Sequence, residues 1–376
     1  MPPRVRVISI PPLGTGNNVG VRALRRLLVM IPGISSGDIP ANTRFLDAIR
    51  VRAGHDLALF YDWQPGTIGR KTVAPSATEP AGERLAELCE RFLDNGTGRT
   101  IDLFAHSAGT VVVNKAATHI RATGSRARFR HVLFVGTALD AAEPLAALKA
   151  VSASIVNCHS AFDKVNRNIN DKEGVLPALR GARWHNVRMD HTLGGRIVRH
   201  YVFLSDDPEN RIQYAHFLRW GKWPERGGLP PADRCTAERL HCYALTTVHT
   251  KERLRRPYAQ RETRRLFARR IAPLLAHDDP EIAYYAVLLS GRFKVPGVTE
   301  TLRGMLRDTR HPVYLRREIY QALGNMEDPE QVQFLREARD ADPACDEVIR
   351  DVVRELKRKR IRRPAPTRTA PLGTGR

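Results

Sequence analysis

The sequence predicts an α/β fold, a mostly parallel and doubly wound sheet with helices on both faces, followed by an all-α repeat domain. Three observations carry this. Short, continuous apolar runs alternate with helical stretches over the first part of the chain. That buried-strand signal stops near residue 245. Beyond it, apolar residues recur at an interval of 33. A strand covered on both faces reads as an unbroken apolar run, and strands alternating with helices argue for parallel pairing.

Taken in order, Val5-Arg6-Val7-Ile8-Ser9-Ile10 alternates in part and suits a first strand. Leu27-Leu28-Val29-Met30-Ile31 is a buried strand that ends in the turn-rich Pro32-Gly33-Ile34-Ser35-Ser36-Gly37. A helical stretch from about Ala41 to Val51 leads to a second buried run, Leu57 to Tyr61. The rhythm repeats with a helix around Glu83 to Leu93, a turn at Asn95-Gly96 and the strand Ile101 to Phe104. Thr110 to Ile120 reads as a helix. The apolar runs His131 to Val135 and Ser154 to Cys158 flank a helical segment near Ala141 to Ala150.

In the helical half, Ile282, Leu315 and Val348 stand 33 residues apart, as do Ala286, Ile319 and Val352; Leu302 pairs with Leu335, and Gly291 with Gly324. Paired helices at such a period are the mark of an α-solenoid. The phrases His277-Asp278-Asp279-Pro280, Asn325-Met326-Glu327-Asp328-Pro329 and Ala322-Leu323-Gly324 resemble the turns of HEAT-like repeats.

The chain has 376 residues, 42% of them hydrophobic, enough for a sizeable core and more than one small domain. The net charge is +21, and the basic character of the helical half lies in two runs, Lys251 to Arg270 and a Pro- and Thr-rich tail from Lys357. These read as a solvated helix face and a disordered tail, or as contacts for an anionic partner. Five scattered cysteines without C-x-x-C spacing imply neither a disulfide framework nor a zinc knuckle. No secretory pattern and no run of about 18 apolar residues is present, so a cytoplasmic, soluble protein is expected.

The chemistry is carried by Ala105-His106-Ser107-Ala108-Gly109, which joins the strand Ile101 to Phe104 directly to a helix. A sharp strand-to-helix turn pushes a serine hydroxyl out of the sheet, while the helix N-terminus aims backbone N–H groups at a developing oxyanion. The segment resembles the nucleophile elbow G-x-S-x-G of the α/β-hydrolase superfamily, with Ala105 in place of the first glycine. The resemblance implies Ser107 as nucleophile and the Ala108 amide as one oxyanion donor, with Ile34, in the loop Pro32 to Ser36, as the second. It also implies the chain order serine, acid, histidine. Asp163 in His159-Ser160-Ala161-Phe162-Asp163 looks like the superfamily's acid, with Asp140 in reserve. Of His185, His191, His200 and His216, the preferred base is His216, whose His216-Phe217-Leu218-Arg219-Trp220 resembles a common ending of the superfamily, with His191 second. His106 is expected to have a structural or pocket-lining role.

These readings imply a serine hydrolase acting on an ester, thioester or amide of a small-molecule or lipid acyl substrate through an acyl-enzyme, with no cofactor or metal. The domains expected are a hydrolase domain over 1–244, in which 164–214 forms either a cap or a surface excursion, a repeat domain over 245–356 and a basic tail over 357–376. The competing reading is a non-catalytic scaffold that binds a protein through its repeats or an anionic partner through its basic segments.

Overall fold

The computed structural model describes residues 6–10, 24–33, 39–63, 75–165, 174–193, 197–227, 234–250, 269–326 and 329–362, with the single positions 230 and 265. Ile34, most of the run from Lys251 to Arg270, and the tail beyond residue 362 lie outside them. The chain divides into two compact units, Met1–Glu225 and Arg226–Arg376.

In the first unit the strands are β1 (Arg6–Ile10), β2 (Arg26–Ile31), β3 (Leu57–Asp62), β4 (Thr100–His106), β5 (Phe129–Val135), β6 (Ser152–His159) and β7 (Trp184–Arg188). They form one sheet in the order β1-β3-β2-β4-β5-β6-β7. β1 pairs antiparallel with β3, and every other pairing is parallel. The helices are α1 (Ile39–Ala53), α2 (Pro75–Asp94), α3 (Gly109–Ala122), α4 (Ala146–Val151) and α5 (Pro208–Trp220). Pleating divides the unbroken apolar runs between two cores. Leu27, Val29 and Ile31 face a layer with Leu85, Val112 and Ala116, while Leu28 and Met30 face Phe45, Tyr214 and Phe217 of α1 and α5. The sheet is therefore covered on both sides, as unbroken apolar strands require.

Two expectations need correction. The helix expected near Ala141 to Ala150 starts only at Ala146, because Asp140 to Glu143 forms a turn: the Asp140 carboxylate accepts from the Ala142 amide at 2.8 Å and its carbonyl from Glu143 at 3.0 Å. The segment 164–214, expected to form a cap or a surface excursion, instead supplies β7 to the sheet and the start of α5 to its face, with a 3₁₀ turn, His200–Leu204, between them.

In the second unit, α6 (Ala237–Thr250) packs on α7 (Pro280–Phe293), so this unit begins before residue 245. The rest comprises α8 (Thr299–Arg307), α9 (Val313–Met326), α10 (Pro329–Glu337) and α11 (Pro343–Arg362). α7, α9 and α11 pack in succession, with α8 and α10 against α9 and α11. The 33-residue series fills the seams: Ile282, Leu315, Ala286, Ile319, Val352, Leu302 and Leu335 are all buried, while at the Val348 position the neighbouring Ile349 takes the core place. The paired glycines mark the closest approaches. A Cβ at Gly291 would fall 2.5 Å from Ala322 Cα, and one at Gly324 would fall 2.1 Å from Val352 Cγ1.

At the end of the sheet where the parallel strands begin, Asp102 is fully buried. Its carboxylate takes His55 Nε2 at 2.5 Å, the His131 amide at 3.0 Å and the Arg130 guanidinium. Burial pushes its pKa up, but the hydrogen bonds from His55 and Arg130 outweigh burial and hold it below the usual range.

Candidate active site

Ser107 leaves β4 with φ +52°, a left-handed conformation that costs a non-glycine residue about 1–3 kcal/mol. The turn is held down on several sides. The Ser107 amide donates to Val135 O at the end of β5 (3.1 Å), and Ser107 O accepts from the Thr110 hydroxyl (2.7 Å) and the Ala138 amide (3.3 Å). Buried Thr137 donates to Thr110 Oγ1 at 3.0 Å, completing a clamp that the sequence did not signal. Small residues are required by contact. A Cβ at Gly109 would lie 2.2 Å from Ile31 O, and one at Gly33 would lie 2.8 Å from Ser107 Cβ and 3.2 Å from its Oγ. Ala105, in place of the motif's first glycine, is accommodated with its side chain fully buried.

Ala108 is the N-terminal flank of α3, so the Ala108 amide sits where helix N–H groups point outward. On the other side, the loop after β2 reaches Ser107 through Gly33. Ile34, the residue expected as the second donor, is outside the described residues.

Asp163 lies in the loop after β6, 1% exposed, and its Oδ2 is 2.9 Å from His200 Nδ1. The two loops are tied together by the Ser160 hydroxyl, which donates to Val198 O at 2.7 Å. The pair converges beside the elbow. Gly136, the residue after β5, has φ +56°, and a Cβ there would meet His200 Nδ1 at 3.2 Å and Asp163 Oδ2 at 3.3 Å. Ser107 is bonded to the preceding residue, Val135, and the His106 ring lies 4.6 Å from the His200 ring.

Asp163 is thus brought to His200, and the expected base His216 is not brought to Asp163. His216 lies toward the far end of α5, where Leu218 O accepts from Arg130 at the start of β5 (2.7 Å), at the end of the strands opposite to Ser107. The core-facing residues of that turn are Tyr214, Phe217 and Leu218, and His216 is only half-buried among them. His191 is exposed in a bridge with Ile197, its ring 5.3 Å from that of Phe162. Asp140 is an exposed turn residue, and His185 lies in β7. The signal for His200 was position alone, a histidine in the loop following the last strand.

His106 is buried, and burial, followed by the neighbouring His200, pushes its pKa down to about 3, against a hydrogen bond to the His200 backbone. Folded protein therefore binds fewer protons at this ring than the unfolded chain between the ordinary value of 6.5 and about 3, so stability is full above 6.5 and falls as pH drops through that window. His106 alone costs on the order of 1.4 kcal/mol per pH unit there. His131, held at about 4 chiefly by burial, adds in the same direction. The melting temperature should fall steeply between about pH 6.5 and 5, and less steeply in His106→Phe; equal slopes would refute the assignment.

Among known proteins, residues 268–357 match the HEAT repeats family. No curated protein matches the chain significantly. Solved structures similar to it include an esterase of Pyrobaculum calidifontis, at 15% identity and a TM-score of 0.38 over 57% of this chain and 84% of that one. A thermostable esterase of Pseudomonas putida is 18% identical over 59% and 84%, TM-score 0.36. Carboxyl esterase 2 of Tuber melanosporum is 14% identical over 59% and 87%, also at a TM-score of 0.36. The chain's own architecture, an antiparallel first strand followed by six parallel ones with a left-handed serine after the central strand, is of the α/β-hydrolase type, joined to HEAT-like helices.

Proposed function

We propose that the chain is a serine hydrolase in which Ser107, His200 and Asp163 form the catalytic triad. The observation that carries this reading is the convergence on Gly136 of a buried Asp163–His200 pair beside a serine held at φ +52°. His200 Nδ1 is engaged by Asp163, which leaves Nε2 to take the proton of the Ser107 hydroxyl as its oxygen attacks an ester, thioester or amide carbonyl. The Asp163 carboxylate orients the ring and stabilises the imidazolium that forms. Donors at Ala108 and in the loop beginning at Gly33 receive the oxyanion. His200 then passes its proton to the leaving group, and the same residues activate water against the acyl-enzyme.

No step calls for a metal or cofactor. The HEAT-like helices supply an extended surface suited to a protein partner, and a scaffold role without catalysis predicts an unreactive serine. A fluorophosphonate probe decides between the two. Wild-type protein should be labelled covalently and Ser107→Ala should not; labelling that persists in Ser107→Ala, or a wild type that does not react, would overturn the triad.

A further inference from the structure

Resting on this triad, we infer that His106, the residue immediately before the nucleophile, is a positioning residue that holds the His200 imidazole in register with Ser107. A carboxylate hydrogen bond to Nδ1 fixes one edge of a histidine ring but leaves it free to swing about that bond. His106 removes the freedom. Its ring packs against that of His200 at a centroid distance of 4.6 Å and a tilt of 43°. At 3.3 Å from His200 O, its Nε2 is also placed to pin the backbone that carries the base.

A carbonyl oxygen only accepts, so Nε2 of His106 carries the proton and Nδ1 is left as a lone pair. That Nδ1 is turned toward Gly33, where a Cβ would lie 3.5 Å from it and 3.2 Å from Ser107 Oγ. One side chain therefore touches the base and borders the space between the nucleophile and the oxyanion loop. Burial holds the ring's pKa at about 3, so its Nδ1 is too weak a base to take the proton of Ser107. The ring therefore stays uncharged above about pH 3, and the surface it offers to His200 does not change with pH above that value. The spacing of nucleophile and base is thus set from within the elbow, by the neighbour of Ser107 in the chain.

The test uses the full-length protein and three variants, His106→Ala, His106→Phe and His106→Gln, with p-nitrophenyl acetate for kcat and KM, the fluorophosphonate labelling rate and the melting temperature. Loss of the ring should lower kcat and the labelling rate about 10²-fold, the scale of a misplacement of about 1 Å, and leave KM near the parent value. His106→Phe keeps a ring of similar shape and should recover most of that loss. His106→Gln keeps a donor without a ring and should stay close to His106→Ala.

A folded His106→Ala with parental kcat would overturn the inference, as would a variant that changes KM alone. If His106→Ala does not fold, the comparison of Phe with Gln decides, and equal kcat in those two overturns it. Ser107→Ala separates the two levels. If the wild type is labelled at Ser107 and the His106 variants keep its rate, only the positioning role falls. If the wild type is not labelled, the triad falls and this inference with it.

Discussion

Replacing His200 by alanine is expected to lower kcat/KM by on the order of 10⁴-fold or more, the scale on which a triad histidine acts, whereas His216→Ala should retain activity close to the parent. The difference follows from where each histidine lies. His200 Nδ1 is 2.9 Å from a carboxylate that is itself 1% exposed, while His216 is in the part of α5 that reaches the start of β5. A matched pair of ester assays on folded protein checks it. Loss of activity in His216→Ala with retention in His200→Ala would reverse the assignment. Asp140→Asn should likewise leave the rate near the parent, since that carboxylate caps an exposed turn.

The second large effect is expected at Gly109. Adding a single methyl group by Gly109→Ala places a carbon where only 2.2 Å separates it from the Ile31 carbonyl oxygen, a backbone atom of the strand beside β4. No side-chain rotation relieves that clash, so either α3 or the end of β2 must shift. Overpacking of this kind costs about 1–3 kcal/mol, which thermal unfolding would register as a lowered melting temperature. The same shift moves the Ala108 amide and the Gly33 loop apart. Protein that remains folded should therefore react with the fluorophosphonate probe far more slowly than the parent. Unchanged stability and reactivity would mean that the turn is looser than its contacts indicate.

Much of the sheet was legible because its strands are buried on both faces: Leu27 to Ile31 is apolar without interruption, Ile101 to Phe104 is broken only by the buried Asp102, and such runs stand out in a sequence. The elbow was legible for a related reason, since the contacts at Gly109 leave no room for a Cβ and Ala105 is fully buried. The histidine was not. His200 is held by Asp163, by the His106 ring and by the Ser160–Val198 bond, all long-range contacts with no periodicity, whereas His216 had an attractive local phrase. The Thr110–Thr137 clamp and Gly136 were invisible for the same reason, each acting on a neighbour that folding brings from another loop. The segment 164–214 reads as a cap or a surface excursion because β7 is short and only half-buried, which leaves little apolar signature.

The glycine pairs of the helical unit bear on how closely its helices approach one another. Gly291 lets α9 settle onto α7, and Gly324, 33 residues later, does the same for α11 on α9. The next position in the series, on α11, is Lys357, and it is exposed. A long charged side chain in that place keeps a neighbouring backbone at arm's length and prefers water. The close approach that Gly291 and Gly324 allow therefore has no counterpart at this place on α11.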